Sequence, residues 1–207
     1  MNDVDEKGKI PIKKVKKYVR SSVSKKRYEH SMRTAKMCRT LCSLYGLDKD
    51  KGFFAGLSHD MCKGMVKEDL ICLVKRDKKG VSEIENENPL LLHGRAAAVL
   101  LEEKFDFHDK DVIEAVANHT LGKKGMCALA KVLYAADKIE PGREHITKPY
   151  LKKLYRLPLD ALVKTVLQEN IAYLHRKGRK TAYESEEFLK SLDGVEISGD
   201  KNEGTKD

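Results

Sequence analysis

Residues 47–63 read LDKDKGFFAGLSHDMCK, and this stretch decides the fold class. Asp48 is typical of a helix N-cap, and apolar residues then recur at helical spacing as far as Leu57, just before the polar pair His59 and Asp60. Such a helix carries two polar side chains towards the interior. Because a buried, ionised aspartate without a partner costs several kcal/mol, Asp60 indicates an arginine, another cation or a metal nearby.

The same helical periodicity continues through most of the chain, whereas β-branched or aromatic runs of alternating polarity are scarce. Helices are predicted at residues 13–21, 25–45, 48–64, 67–76, 91–105, 109–120, 126–139, 149–154, 159–177 and 183–192. The polar segment 77–89 is predicted to be a loop. We therefore expect an all-α fold, a single helical bundle over residues 10–192, with disordered tails at residues 1–9 and 193–207.

The composition of the 207-residue chain is that of one globular domain. Apolar residues make up 41% of it, enough to form a core, and charged residues 35%. The longest apolar run, residues 96–101, is far shorter than the ~20 residues that span a bilayer, and the N-terminus lacks the apolar core of a secretory signal. We expect a cytoplasmic protein with no membrane partner, whose five cysteines, without a C-x-x-C pair, are reduced.

The formal net charge of +9 favours an acidic partner, such as nucleic acid, an anionic membrane surface or a phosphate-rich small molecule. Residues 7–27 contain ten lysines or arginines and no acidic residue. No aromatic ladder or base-reading motif accompanies this segment. A solvated basic helix is therefore favoured over a nucleic-acid-binding arm, which stays an alternative.

Further histidines and an aspartate fall on apolar helical faces elsewhere in the chain: His30, His93, His119 and Asp137. A single histidine of this kind is commonly a satisfied core residue, but buried carboxylates require a partner. The economical partner is a metal shared with the histidines. Imidazole and carboxylate ligands without thiolate suit iron, manganese, zinc or cobalt better than calcium or magnesium.

The ordered set H…HD…D, formed by His30, His59, Asp60 and Asp137, resembles the signature of the HD-domain superfamily of metal-dependent phosphohydrolases. The surrounding stretches sharpen the resemblance: RYEHS at 27–31, HG at 93–94, NHT at 118–120 and ADKIEPGR at 136–143. Together with residues 47–63, they are similar to the YqeK family of bacterial symmetrical dinucleoside tetraphosphatases. The resemblance covers residues 15–192, nearly the whole predicted bundle.

This resemblance implies an all-α bundle that holds iron and cleaves diadenosine tetraphosphate into two ADP. By matching motif positions, the implied metal ligands are His30, His59, Asp60 and Asp137. Two additional histidines, His93 and His119, are implied to face the phosphates or to hold a second metal. Asp60 and Asp137 are also candidates to accept the proton of the attacking water.

The resemblance also implies the positions that contact the nucleotide around this cluster. They are Arg27, Thr120 and Arg143 near the phosphates, and Lys180 and Thr181 within residues 179–183 at the nucleoside end. Arginine suits the phosphate positions because its planar guanidinium donates two parallel hydrogen bonds.

Two alternatives remain open at this point. A different HD phosphohydrolase would use the same metal cluster on a nucleoside monophosphate, a deoxynucleotide or a guanosine alarmone. A non-catalytic HD module would bind RNA through residues 7–27 and keep the metal site as a structural element. The sequence leaves a homodimer open as well.

Overall fold

The computed structural model describes residues 10–193, so the tails predicted at 1–9 and 193–207 lie outside the described residues except for Asp193. Within this range the chain forms eleven α-helices and no strand. They are α1 Ile12–Ser22, α2 Lys25–Leu44, α3 Lys49–Ser58, α4 Lys67–Val74, α5 Glu83–Glu87, α6 His93–Phe105, α7 Lys110–Asn118, α8 Ala128–Ile139, α9 Lys148–Leu154, α10 Leu159–Arg176 and α11 Tyr183–Ser191. One 3₁₀ segment, Lys75–Asp77, lies between α4 and α5, and another, Pro89–Leu92, lies between α5 and α6. The all-α prediction is confirmed.

The structure differs from the predicted elements in two places. First, the predicted helix 48–64 ends at Ser58, because the backbone then turns through bonds between residues three apart, such as Met61 N–H to Ser58 C=O and Lys63 N–H to Asp60 C=O. Second, the predicted loop 77–89 contains α5. A capping box starts α5, in which the Glu85 carboxylate accepts from the backbone N–H and the hydroxyl of Ser82.

Helices α2 and α3 pack at very short range at the centre of the fold. A Cβ atom at Gly56 would lie 2.6 Å from the Ala35 Cα, so only glycine permits this approach. The close packing brings the rings of His30 and His59 to a centroid separation of 5.3 Å. Helices α7 and α8 pack against this pair and complete the surroundings of the two histidines.

Helix α1 carries much of the basic segment yet belongs to the core. Val15 and Val19 are fully buried among the core residues, whereas the lysines of α1 are exposed. The basic helix is thus amphipathic, with its positive charge in solvent. Among residues 10–193, no helix is both long and apolar enough to cross a membrane.

Arg95 on α6 holds the segment before α5 in place. Its guanidinium forms a two-bonded pair with Asp77, at 2.8 and 2.9 Å, and contacts Glu85 at 2.9 Å. It also donates to the backbone carbonyls of Lys79 and Gly80 at 3.1 and 2.9 Å. One side chain therefore satisfies four acceptor groups in a polar segment that has few buried apolar residues.

We expect Arg95→Ala to destabilise the fold by about 2 kcal/mol, because two largely buried carboxylates lose their charged partner. Arg76→Ala removes an exposed ion pair with Glu103 and should leave the urea midpoint nearly unchanged. Urea denaturation of both variants measures the difference. An equal loss of unfolding free energy in the two variants would contradict the anchoring role of Arg95.

The stabilisation that Arg95 provides should depend on pH. Burial favours the neutral form of Asp77, but Arg95 and the Lys79 N–H outweigh it and lower the pKa of this carboxyl. The stabilisation is therefore present above the ordinary pKa range of aspartate and is lost as pH falls through the lowered pKa. The stability difference between the wild type and Arg95→Ala should shrink in acid.

Candidate metal centre

Four buried histidines from separate helices face one another. His30 lies in α2, His59 and His119 directly follow α3 and α7, and His93 begins α6. In three of them Nδ1 lies close to the backbone carbonyl three residues earlier: Gly56 for His59, Leu90 for His93 and Val116 for His119, at 2.7, 2.7 and 2.8 Å. A carbonyl only accepts, so Nδ1 of His59 and of His119 carries the proton, whereas Nδ1 of His93 also lies near the Lys63 ammonium group. The Nε2 lone pairs are thereby directed into the shared space, the usual arrangement of metal-binding imidazoles.

Asp60 connects the two halves of the histidine cluster. Its Oδ1 lies 3.0 Å from Nε2 of His93 and 3.7 Å from Nε2 of His119. Its Oδ2 lies 3.5 Å from Nε2 of His59 and 3.7 Å from Nε2 of His30. A carboxylate placed in this way can bridge two ligand groups.

Asp137 on α8 completes one of these groups. Its Oδ1 lies 3.0 Å from Nε2 of His30 and 3.7 Å from Nε2 of His59. Donor atoms within 4.8 Å of one another occur in two sets among the described residues. The first set is His30, His59 and Asp137, and the second is His59, Asp60 and His119.

The donor atoms fit a divalent metal. Nε2 of His30 and Nε2 of His59 are buried and have no partner of hydrogen-bond geometry in the described part of the chain. Nε2 of His93 and Nε2 of His119 lie 3.1 Å apart, so two neutral imidazoles would direct lone pairs at each other. A cation among these atoms relieves both problems, and a set of imidazole and carboxylate donors suits a borderline divalent ion.

Most of the protonation states agree with this interpretation. The exception is His30, because burial lowers its pKa but the contacts with Asp137 and Glu140 outweigh burial and raise it. Burial, together with the neighbouring His59 and His93, lowers the pKa of His119 to about 3. Burial works against ionisation of Asp60 and Asp137, yet the adjacent histidines hold the pKa of Asp60, and Lys138 with His30 and His59 the pKa of Asp137, well below the usual value. At neutral pH the cluster therefore holds ionised carboxylates and a neutral His119, the states that metal ligands require.

Glu140 holds the ring of His30 in orientation through its Nδ1 atom. This buried carboxylate contacts His30 Nδ1 at 3.1 Å and accepts from Arg33 Nε and the Gly142 N–H, both at 2.6 Å. Although burial favours its neutral form, these three partners lower the pKa of Glu140 to about 2. A Cβ at Gly142 would lie 2.2 Å from Arg33 Nε, so a side chain at this position would displace the guanidinium from Glu140.

Glu140 and Arg33 were not among the predicted site residues, although their spacing offered a signal. Arg33 follows His30 by three residues and Glu140 follows Asp137 by three, so each lies on the same helical face as a predicted ligand. Their pairing joins α2 to the end of α8. It depends on contacts between residues 107 positions apart, which helical periodicity does not predict.

Two lysines add positive charge to the cluster. Lys63 Nζ lies 3.2 Å from His93 Nδ1. Lys138 Nζ lies 3.2 Å from Asp137 Oδ2 and donates to the His119 carbonyl at 3.0 Å. Burial lowers the pKa of both lysines. Lys138 thus ties the end of α7 to α8, and it too was missed by the sequence analysis.

The predicted phosphate-contacting residues lie beside the cluster. Arg27 Nη1 pairs with Asp60 Oδ2 at 2.7 Å, and Arg143 Nη2 pairs with Asp137 Oδ1 at 2.9 Å. Thr120 Oγ1 is 3.4 Å from the Leu91 carbonyl. Each arginine is therefore partly exposed and pairs with a cluster carboxylate.

A cleft of about 1720 Å³ opens over this cluster. Its walls carry more basic than acidic side chains. The basic ones are Lys26, Arg27, Arg33, Lys63, Lys138, Arg143, Arg176, Arg179 and Lys180, and the acidic ones are Glu87, Asp137, Glu140, Glu144 and Glu169. Thr120 and Lys180 line this cleft, whereas the Thr181 hydroxyl lies 2.8 Å from Nε2 of His175 and does not line it. The cleft can accept a large anion directly over the cluster.

Comparison with known proteins assigns the chain to a family. The HD domain model matches residues 27–142. The chain is 28% identical over 161 residues to the symmetrical bis(5'-nucleosyl)-tetraphosphatase of Bacillus subtilis, covering 78% of this chain and 86% of that protein. It is 32% identical over 132 residues to the enzyme of the same name from Staphylococcus aureus, covering 64% of this chain and 68% of that protein.

A solved structure agrees with these matches. The crystal structure of an HD superfamily hydrolase from Clostridium acetobutylicum superposes with a TM-score of 0.82 at 29% identity, covering 90% of this chain and 99% of that chain. The segment matched by the HD domain model contains the histidine–aspartate cluster. The chain therefore belongs to the HD-domain family and, within it, to the family of the symmetrical bis(5'-nucleosyl)-tetraphosphatases.

Proposed function

We propose that this chain hydrolyses diadenosine tetraphosphate at the central phosphoanhydride, taking up one water and releasing two ADP. The observation that carries the proposal is a two-part histidine–aspartate cluster beneath a large, basic cleft. The names of the Bacillus and Staphylococcus relatives support the same reaction. The domain that performs it is proposed to span residues 10–192 and to act in the cytoplasm.

The metal is proposed to be iron, with manganese, cobalt and zinc as alternatives, because nitrogen and carboxylate donors without thiolate suit these ions. His30, His59, Asp137 and Asp60 Oδ2 would hold one ion. His93, His119 and Asp60 Oδ1 would hold a second. A divalent ion bound there supplies a Lewis acid for phosphoryl oxygens and lowers the pKa of a water molecule towards neutrality.

The side chains around the cluster would perform the remaining steps. Arg27 and Arg143 are each about 38% exposed, so their guanidinium groups can reach phosphate oxygens from their places beside the carboxylates. The ionised Asp60 or Asp137 would accept a proton from the attacking water. Lys63 and Lys138 would offset the negative charge that develops on the oxygen between the two central phosphorus atoms as that bond breaks.

The nucleoside end would be contacted by residues of the cleft wall beyond the cluster. Thr120 and Lys180 line that wall. The Thr181 hydroxyl bonds His175, so Thr181 would act only by holding the backbone of residues 179–183 in position. An RNA-binding role of the basic segment 7–27 is a separate hypothesis, which RNA binding by the double variant tests, and a homodimer is another, which size-exclusion chromatography of the purified protein tests.

We expect the purified, metal-loaded protein to convert diadenosine tetraphosphate into two ADP per substrate, measured by anion-exchange chromatography. The double variant His59→Ala, Asp60→Asn should lose both bound metal and turnover, by about a thousandfold or more, because it removes two proposed ligands. Anaerobic purification followed by elemental analysis identifies the metal.

The matched control is His108→Ala with Asp106→Asn, which alters an exposed histidine–aspartate pair remote from the cleft. It should keep metal and activity. A metal-replete wild type that leaves the dinucleotide intact would overturn the proposal and direct attention to mononucleotides and alarmones. Salt-sensitive RNA binding that survives the double variant would instead support the binding-module alternative.

Glu140→Gln should weaken metal affinity by about 10- to 100-fold, because the amide holds His30 in orientation less firmly than the carboxylate does. Chelator competition measures this affinity. At saturating metal most of kcat should return, which a lost ligand would not permit. Glu144→Gln, four residues later in the chain and without a contact to His30, is the control and should bind metal as the wild type does.

A further inference from the structure

The cleft over the cluster has two walls built from separate parts of the chain. One wall includes Tyr173 and Arg176 of α10, next to the residues that the family resemblance assigns to a nucleoside. The other includes Ile84 and Asn88, in and directly after α5, together with Lys26 at the start of α2. The volume of about 1720 Å³ exceeds the roughly 300–1,000 Å³ common for small-molecule sites, so one nucleotide would leave much of it unfilled.

A symmetrically cleaved substrate requires space on both sides of the reacting phosphates. Diadenosine tetraphosphate is cut at its central anhydride, so when that bond lies at the cluster, each half extends away from it with its own adenosine. One of the two nucleosides would lie against α10. The second nucleoside must lie elsewhere in the same cleft.

The chemistry of the α5 wall suits a nucleoside. Ile84 is half-buried and presents an apolar surface to the cleft, where Leu91 also contributes. The side-chain amide of Asn88 makes no hydrogen bond within residues 10–193, so it is free both to donate to and to accept from a base edge or a ribose hydroxyl. The exposed Lys26 adds a positive charge for the neighbouring phosphate.

This wall is held rigid before any ligand arrives. Arg95 lies outside the cleft lining, yet its bonds to Asp77, Glu85 and two backbone carbonyls hold the segment that leads into α5. The 3₁₀ segment after Asn88 leads directly into His93, whose Nδ1 contacts the Leu90 carbonyl at 2.7 Å. The α5 wall is therefore positioned relative to the cluster, which lowers the entropic cost of binding.

We propose that Ile84 and Asn88, with Lys26, form a binding subsite for the second nucleoside of a dinucleoside polyphosphate. The proposal rests on the proposed function and assigns a role to the segment 77–89, which the sequence analysis treated only as a loop. Ile84 contacts the base, Asn88 bonds its edge or the ribose, and Lys26 pairs with the phosphate closest to that nucleoside.

The test compares two substrates that differ in one nucleoside. Diadenosine tetraphosphate yields two ADP, whereas adenosine 5'-tetraphosphate, cut at the same bond, yields ADP and pyrophosphate and can place its single adenosine against α10. The double variant Ile84→Ala, Asn88→Ala should raise the KM for the dinucleotide by about tenfold with kcat little changed, because binding shared by ground and transition states is lost. The KM for adenosine tetraphosphate should stay within about twofold of the wild-type value.

A binding measurement and a matched variant complete the design. Calorimetry with a methylene-bridged, non-hydrolysable dinucleotide should show affinity reduced by about tenfold in the double variant. Asn86→Ala, in the same helix but outside the cleft lining, should change neither the KM nor the affinity for the dinucleotide. Thermal unfolding and metal content establish that the variants remain folded and loaded.

An unchanged KM for the dinucleotide would overturn the subsite, because it would show that Ile84 and Asn88 do not contact the substrate. An equal rise in KM for both substrates would also overturn it, because it would indicate an effect on phosphate binding alone. These outcomes require a wild type that releases ADP. A wild type that releases none would instead overturn the proposed function itself, so the two failures are distinguishable.

Discussion

The burial of Asp60 is the constraint on which the rest of the structure depends. Its side chain is only 4% exposed, yet its pKa is held well below the usual value, so an ionised carboxylate lies in the interior. Such a charge is tolerable only when partners surround both of its oxygens. Here Oδ2 pairs with Arg27, and Nε2 atoms of His30, His59, His93 and His119 lie beside both oxygens, so that a shared cation would neutralise the carboxylate. To deliver these partners, helices α2, α3, α6 and α7 must converge on one point.

This convergence explains where the fold requires glycine. Gly56 lets α3 lie against α2, and Gly94 lets the start of α6 reach the end of α7, since a Cβ at position 94 would lie 2.9 Å from the His119 ring and from the Val116 carbonyl. Larger residues would separate the helices and move the imidazoles apart. In the pair His93–Gly94, the cluster histidine is therefore followed by the small residue that lets the start of α6 approach the end of α7.

The part of the site that follows from helical spacing could be predicted from the sequence. His30 and Asp137 lie on apolar faces, so their burial was predictable, and the H…HD…D order indicated a shared centre. Glu140 and Arg33 were not predicted, because their roles arise only when α2 meets the end of α8. The end of α3 at Ser58 was also missed, because the predicted helix was extended to Gly64, although only Met61 and Lys63 among residues 59–64 are good helix formers.

The arrangement of arginines distinguishes the interior of the site from its edge. Arg33 and Arg95 bind fixed acceptors, the Glu140 carboxylate in one case and the segment 77–85 in the other, and thereby hold elements that position the cluster and the cleft wall. Arg27 and Arg143 instead each pair with a cluster carboxylate that already has histidine partners. In the proposed function these two pairs would be exchanged for phosphate oxygens, whereas loss of Arg33 or Arg95 would leave a largely buried carboxylate without its charged partner. Arginine would thus serve anion recognition at the edge of the site, while it holds fixed elements together where its acceptors have few other partners.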